Sequence, residues 1–445
     1  MDLGRRFVTT VAEVRLWGKR IAAVAIEEGA RFADFEYAPE FIPSGIEVAP
    51  IIMPLSPDVY RFPDLEYESF HGLPGLLADS LPDKFGNALI DAWLVTQGRA
   101  PRSLDPVERL CYTGSRGMGA LEFRPIIGPK SKTANPVQVD KLVELASEVL
   151  TNRNDLRGSF GDHEKEEALR DILRVGTSAG GARAKAIVAW NPDTNEVRSG
   201  QVKAGKGFTH WVLKFDGVSG NRDKELDDPK GYGRIEYAYY KMATDCGIQM
   251  NECRLLEEND RHHFMTRRFD RLEDGEKLHM QSLAALAHYD FNDPGAYSYE
   301  QALFNIRKLD LGMDAVEEQF RRMVFNIVGR NQDDHVKNIA FLMNKRGEWS
   351  LSPAFDMTYS FNPTGLFTST HQMSVNFKRD NFVLDDFKAC AKTVSMKRGR
   401  AEKIINEVTA VVSRWREYAD EVRVQPEQRD KIQNVLCLDI AKPQV

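Results

Sequence analysis

Cysteine is scarce in this chain. Cys111, Cys246, Cys253, Cys390 and Cys437 are the five in 445 residues. Their number is odd, their spacing is scattered, and no Cys-x-x-Cys occurs, which argues against a disulfide framework or a zinc site. A chain of this length buries enough apolar surface to need neither. Reduced thiols in a cytoplasmic protein are the expectation. Positive charge is also short: Lys and Arg total 60 against 66 Asp and Glu, a formal net charge of -6. That leaves no general excess for coating nucleic acid. Long apolar runs are missing as well. No uncharged stretch approaches the ~18 residues that a membrane span needs. Glu13, Arg15 and Lys19 interrupt the apolar runs that follow Arg5 and Arg6, so neither a signal peptide nor a membrane anchor is expected. The sequence holds no internal repeat and no low-complexity tract.

What is present has the composition of a globular protein, 42% hydrophobic and 28% charged, with length for two or three domains or lobes. Residues 8–14 and 21–26 read as strands joined by the turn signal Trp17-Gly18-Lys19, and Phe32, Phe35 and Tyr37 add a third. Asp83 is placed to cap a helix whose apolar residues Phe85, Ala88, Leu89, Ala92 and Trp93 recur at helical spacing, and residues 105–111 begin another. The glycines of 114–120 read as a tight turn, because no Gly-Lys-Ser/Thr follows them. A Pro- and Lys-containing stretch, 129–136, marks a lobe boundary, and an amphipathic helix is expected over 137–150. The small-residue run 175–185, which includes Ser178, Ala179, Gly180 and Gly181, precedes a strand over 186–190. It reads either as a plain turn or as backbone able to approach phosphate oxygens.

Beyond it, a strand over 210–215 carries Lys214 among large apolar residues, and a helix over 235–246 carries Glu236 beside its apolar face. His262-His263 reads as an exposed pair without metal-ligand spacing. A strand through Arg267 leads into Arg268-Phe269-Asp270-Arg271, with the character of a connection between lobes. The rest is mainly helical, with helices expected over 299–307, 315–329, 385–391 and 400–418.

Asn331-Gln332-Asp333-Asp334-His335-Val336-Lys337-Asn338 lies between a helical apolar pattern and the strand-like run 339–343. A polar loop held by two buried elements is a good place for chemistry. Asp333 and Asn338 have the Asp-x-x-x-x-Asn spacing of a kinase catalytic loop, in which the Asp receives the acceptor hydroxyl's proton and the Asn holds a metal ion. Asp334 competes for the base role, and Asp333 is preferred on spacing. Lys337 can stabilise charge on a transferred phosphoryl group. Asp356, beyond the strand, supplies a further acid where a kinase carries a metal-binding Asp. In this order Lys214 would hold the α/β-phosphates, Glu236 would orient Lys214, and Asn338 and Asp356 would ligate Mg²⁺ through oxygen.

At these residues the chain resembles the HipA family of bacterial toxin–antitoxin kinases. The resemblance rests on Tyr37-Ala38-Pro39-Glu40, the run 77–83, the run 178–185, Arg268-Phe269-Asp270-Arg271, and the 333–338 loop, and it extends over nearly the whole chain. It implies an α+β, two-lobed protein-kinase-like fold with an N-terminal, mostly β subdomain over 1–130. An N-lobe portion over 131–268 and an α-rich C-terminal lobe over 269–445 would follow. It implies a serine/threonine-protein kinase using ATP and Mg²⁺, with Ser178 autophosphorylated and the enzyme thereby switched off. Ser178, Ala179, Gly180 and Gly181 would form the phosphate loop, Phe269 would contact adenine, Asp270 would reach the ribose side, and Arg267 and His335 would complete the nucleotide set. The implied partners are a small helix-turn-helix antitoxin, HipB-like, operator DNA chiefly through that antitoxin, and a protein substrate, of which an aminoacyl-tRNA synthetase is one known in the family. Two other readings share the motifs: a weakly active ATP-binding co-repressor subunit, and a small-molecule kinase.

Overall fold

The computed structural model describes residues 9–127, 138–151, 173, 183–200, 205–218, 230–272 and 275–440. The chain divides into two compact units that interleave along the sequence. One comprises Met1–His210, Asp270–Asp290 and Leu342–Glu348; the other comprises Trp211–Phe269, Phe291–Phe341 and Trp349–Val445.

The first unit opens with an antiparallel sheet of β1 (Thr9–Leu16), β2 (Lys19–Glu27), β3 (Asp34–Tyr37) and β4 (Leu121–Arg124), in the order β3-β2-β1-β4. Period-two patterning buries Ala12, Val14 and Leu16 on one face of β1. Trp17 and Gly18 both take positive φ, 49° and 80°, as a two-residue hairpin that matches strand twist requires. The helix Lys84–Thr96 begins as its sequence demands, with the Asp83 carboxylate accepting from the Gly86 N–H at 2.6 Å. The helix Pro106–Thr113 has a full capping box between Asp105 and Glu108. The amphipathic helix Val139–Thr151 packs on Lys84–Thr96. A hairpin of β5 (Lys185–Trp190), buried along its length, and β6 (Val197–Ser199) follows.

In the second unit, β7 (Thr209–Lys214), β9 (Arg261–Arg267) and β8 (Cys253–Glu258) lie side by side, antiparallel. The helix Tyr232–Asp245 packs across β8 and β9. Its approach is close enough that a Cβ on Gly233 would collide with the His262 carbonyl. The expected exposed pair His262-His263 is corrected here. His263 is fully buried, faces Leu256 across the sheet, and accepts from the Asp216 N–H at 2.9 Å. Strand alternation sends one His inward and leaves the other half-buried. The helix Gly312–Val328 packs against Tyr299–Lys308 and Arg400–Val412. The helix expected over 400–418 is broken: Arg400–Val412 ends at Ser413, and a separate segment, Trp415–Glu421, packs on Tyr232–Asp245. Burial of the Trp415 ring against Tyr239, 5.2 Å between centroids, redirects the chain. Among the described residues no helix is long and apolar enough to cross a membrane.

Candidate functional site

The polar loop is presented as its sequence predicts. Val316, Phe320, Met323, Val324, Ile327 and Val328 bury one face of the helix Gly312–Val328, and Arg330 turns the chain out of it at φ 56°. A short 3-10 turn, Val336–Asn338, then leads to the wholly buried strand Ala340–Met343. The two adjacent acids separate completely. The Asp333 side chain is 55% exposed, whereas Asp334 is 3% exposed. Asn338 donates from Nδ2 to the Asp333 carbonyl at 2.8 Å, closing the loop. His335 Nε2 stands 3.8 Å from an Asp333 carboxylate oxygen. The Lys337 ammonium lies 4.4 Å from the centre of the Phe291 ring.

Asp334 is fully committed. Its Oδ2 accepts from Tyr299 Oη at 2.7 Å and pairs with His371 Nδ1 at 2.8 Å, and its Oδ1 accepts from the Gln372 N–H at 2.8 Å. Burial opposes its charge, but His371 and the hydrogen bonds from His371, Tyr299 and Gln372 outweigh it and hold the carboxyl below the usual range. The donors from Tyr299 and Gln372 persist whatever the protonation of His371. A carboxylate with both oxygens occupied inside the protein is an anchor, so Asp333 is the acid left facing solvent.

Lys214 sits at the end of β7, 6% exposed. Its ammonium is bonded to both Glu236 and Asp356. Glu236, near the start of its helix, is 1% exposed and therefore no solvated helix residue. The Asp356 side chain is 30% exposed, and its backbone carbonyl accepts from Asn331 Nδ2 at 3.1 Å. Lys214, Glu236 and Asp356 thus form one cluster, tied by backbone to the head of the polar loop. Such an ammonium can grip phosphate oxygens, and the hard oxygens of Asp356 and Asn338 suit Mg²⁺. The Asn338 nitrogen is engaged, which leaves its amide oxygen for a cation. Among the described residues no group of three or more His, Cys, Asp or Glu is placed to hold a metal by itself.

The connecting stretch is divided in its tasks. Arg267 ends β9, with its carbonyl accepting from Asn251 Nδ2 at 3.1 Å. Phe269 is half-buried, its ring 5.6 Å from that of Phe355. Asp270 has no exposure; its Oδ2 accepts from the Gly119 N–H and from Arg271 Nη1, each at 2.7 Å. Arg271 also donates to the Gly117 and Gly119 carbonyls. The Asp270 carboxylate thus clasps the Gly114–Ala120 turn through a contact 151 residues away in sequence. Ser178, Ala179, Gly180 and Gly181 lie outside the described residues. Sequence reasoning missed Tyr299, Asn326 and His371; scattered singly along the chain, they carry no spacing signal.

The profile of the HipA-like C-terminal domain matches residues 177–415, and that of the HipA N-terminal domain matches residues 12–124. Among solved structures the chain is similar to the complex of HipA, HipB and operator DNA of the Shewanella oneidensis MR-1 toxin–antitoxin system. The identity is 14%, coverage is 98% of this chain and 100% of that chain, and the TM-score is 0.64. At that identity the likeness is one of fold, and it bears out the expected α+β, kinase-like class. A second similar structure, the Helicobacter pylori proinflammatory kinase CtkA, has 14% identity over 59% of this chain and 91% of its own, with a TM-score of 0.36. Among curated protein sequences, none matches. The chain belongs to the HipA family.

Proposed function

We propose that this chain is the kinase of a HipBA-type toxin–antitoxin module, transferring the γ-phosphoryl group of ATP to a serine or threonine hydroxyl of a cellular protein. The observation that carries this reading is the Lys214 ammonium bonded to Glu236 and Asp356, in the same compact unit as the exposed Asp333. In the reaction the bond between the γ-phosphorus and the β,γ-bridging oxygen breaks, a bond from the acceptor oxygen to that phosphorus forms, and ADP leaves. Asp333 takes the acceptor's proton and aims its oxygen. Lys214, oriented by Glu236, holds the α/β-phosphates, and Lys337 meets charge on the moving group. Asn338 and Asp356 would hold Mg²⁺, which neutralises phosphate charge when bound. Phe269 offers an aromatic face to adenine, with Arg267 and His335 at the margins of the nucleotide. The run Ser178 to Gly181 is the phosphate loop, and Ser178 is the autophosphorylation site; added negative charge there repels ATP. The partners are a small helix-turn-helix antitoxin and, through it, operator DNA.

The test is intact-mass analysis of dephosphorylated protein incubated with Mg-ATP, for the native sequence and Asp333→Ala. One phosphoryl group gained by the native protein alone, mapped to Ser178, is the expected result. No gain on either, with nucleotide still bound, would replace this reading with a weakly active ATP-binding co-repressor.

A further inference from the structure

Asp333 and Asp356, the proton acceptor and the metal ligand of the proposed site, are joined by a buried chain of hydrogen bonds that leaves the loop and returns to it. Asp334, bonded in sequence to Asp333, accepts from Tyr299 Oη at 2.7 Å. The Tyr299 hydroxyl accepts from Asn326 Nδ2 at 3.0 Å. Asn326 Oδ1 accepts from Asn331 Nδ2 at 2.9 Å, and the same Nδ2 donates to the Asp356 carbonyl at 3.1 Å. Tyr299, Asn326, Asn331 and Asp334 are 1%, 8%, 2% and 3% exposed. From Asn331 through Asn326 and Tyr299 to Asp334 each donor points the same way, an arrangement in which bonds polarise one another, while the bond from Asn331 to the Asp356 carbonyl runs outward on the other side. Among the described residues Asn331 Oδ1 has no partner and is buried, a cost that the site bears to aim both amide hydrogens at these two acceptors.

Tyr299 belongs to the helix Tyr299–Lys308 and Asn326 to Gly312–Val328; neither lies in the loop or in the Asp356 segment. We propose that Tyr299 and Asn326 are positioning residues that fix the spacing between Asp333 and Asp356, through Asp334 on one side and Asn331 on the other. The catalytic consequence rests on the phosphotransfer reading above; the mechanical coupling does not. Burial and the Asp334 charge raise the Tyr299 pKa well above its ordinary value, so the hydroxyl remains a donor across the working pH range.

Tyr299→Phe removes one oxygen and keeps the ring. In this variant kcat for phosphoryl transfer should fall roughly tenfold to a hundredfold, with KM for ATP and the affinity for a fluorescent ATP analogue nearly unchanged. Amide hydrogen exchange should accelerate at both 331–338 and 354–360. Asn326→Ala should give the same pattern, and the double variant should be little worse than either single, because one chain is cut twice. An unchanged kcat in a wild-type background that does transfer phosphoryl overturns the proposal. So does faster exchange confined to the helix Tyr299–Lys308, or fully additive losses. If the wild-type protein transfers no phosphoryl group, the phosphotransfer reading fails by itself, and the exchange data alone decide whether the two segments are coupled.

Discussion

The Asn338 side chain donates to the backbone carbonyl of Asp333 across five residues, at 2.8 Å. One amide therefore closes the loop with its nitrogen and offers its oxygen to a cation. The two tasks separate by substitution. Asn338→Asp keeps a hard oxygen but sets a carboxylate against the Asp333 carbonyl, whereas Asn338→Ala loses both. Phosphoryl transfer should fall about tenfold in the first and at least about a hundredfold in the second. Rates measured over a Mg²⁺ titration check this; equal losses would mean that the oxygen has no separate task.

Lys214 faces two carboxylates in a place where Glu236 is almost wholly buried. Removing the ammonium leaves those charges uncompensated. Lys214→Met should therefore cost about 3 kcal/mol of unfolding free energy as well as ATP affinity. Lys214→Met with Glu236→Leu should recover most of the stability and none of the transfer. Urea unfolding and nucleotide titration on both variants separate the two effects.

Gly233 lies in the first turn of the helix that carries Glu236, and its missing Cβ is what lets the helix meet the His262 carbonyl. Gly233→Ala must push the helix off β9 and, with it, Glu236 away from Lys214. A loss of about 1–3 kcal/mol in stability is expected, with a larger proportional loss of transfer. A variant as stable and active as the native protein would show that the helix has room to move.

Local chemistry made much of this legible in the sequence. Trp17-Gly18 announces its hairpin, Asp83 and Asp105 announce their helices, and the Asp333–Asn338 spacing announces a loop between buried elements. What could not be read depends on partners distant in sequence. Asp333 and Asp334 are identical in type and adjacent, and Tyr299, His371 and Gln372 alone make the second an anchor. Asp270 lies in a recognisable motif, yet Gly119 determines where its carboxylate goes. His263 carries no mark of burial until β8 and β9 pair. The break at 413–414 follows from the packing of Trp415 on Tyr239, while the local pattern alone would continue the helix.

The first compact unit should be sensitive to mild acid through two histidines outside the candidate site. Burial pushes the His279 pKa down from 6.5 to about 4, only partly offset by its hydrogen bond to the Val48 carbonyl. Burial likewise pushes His288 down to about 4, and His288 Nε2 accepts from the Gly75 N–H at 3.0 Å, which only an unprotonated nitrogen can do. In both cases the unfolded chain binds the proton more readily than the folded one. Their contribution is intact above about pH 6.5 and drains away as pH falls toward about 4, at up to roughly 1.4 kcal/mol per pH unit for each ring. Between pH 7 and 5 the urea midpoint of the native protein should fall, and His288→Gln and His279→Gln should each flatten that slope, whatever they do to stability at pH 7. A slope untouched by both substitutions would assign the acid sensitivity to other groups.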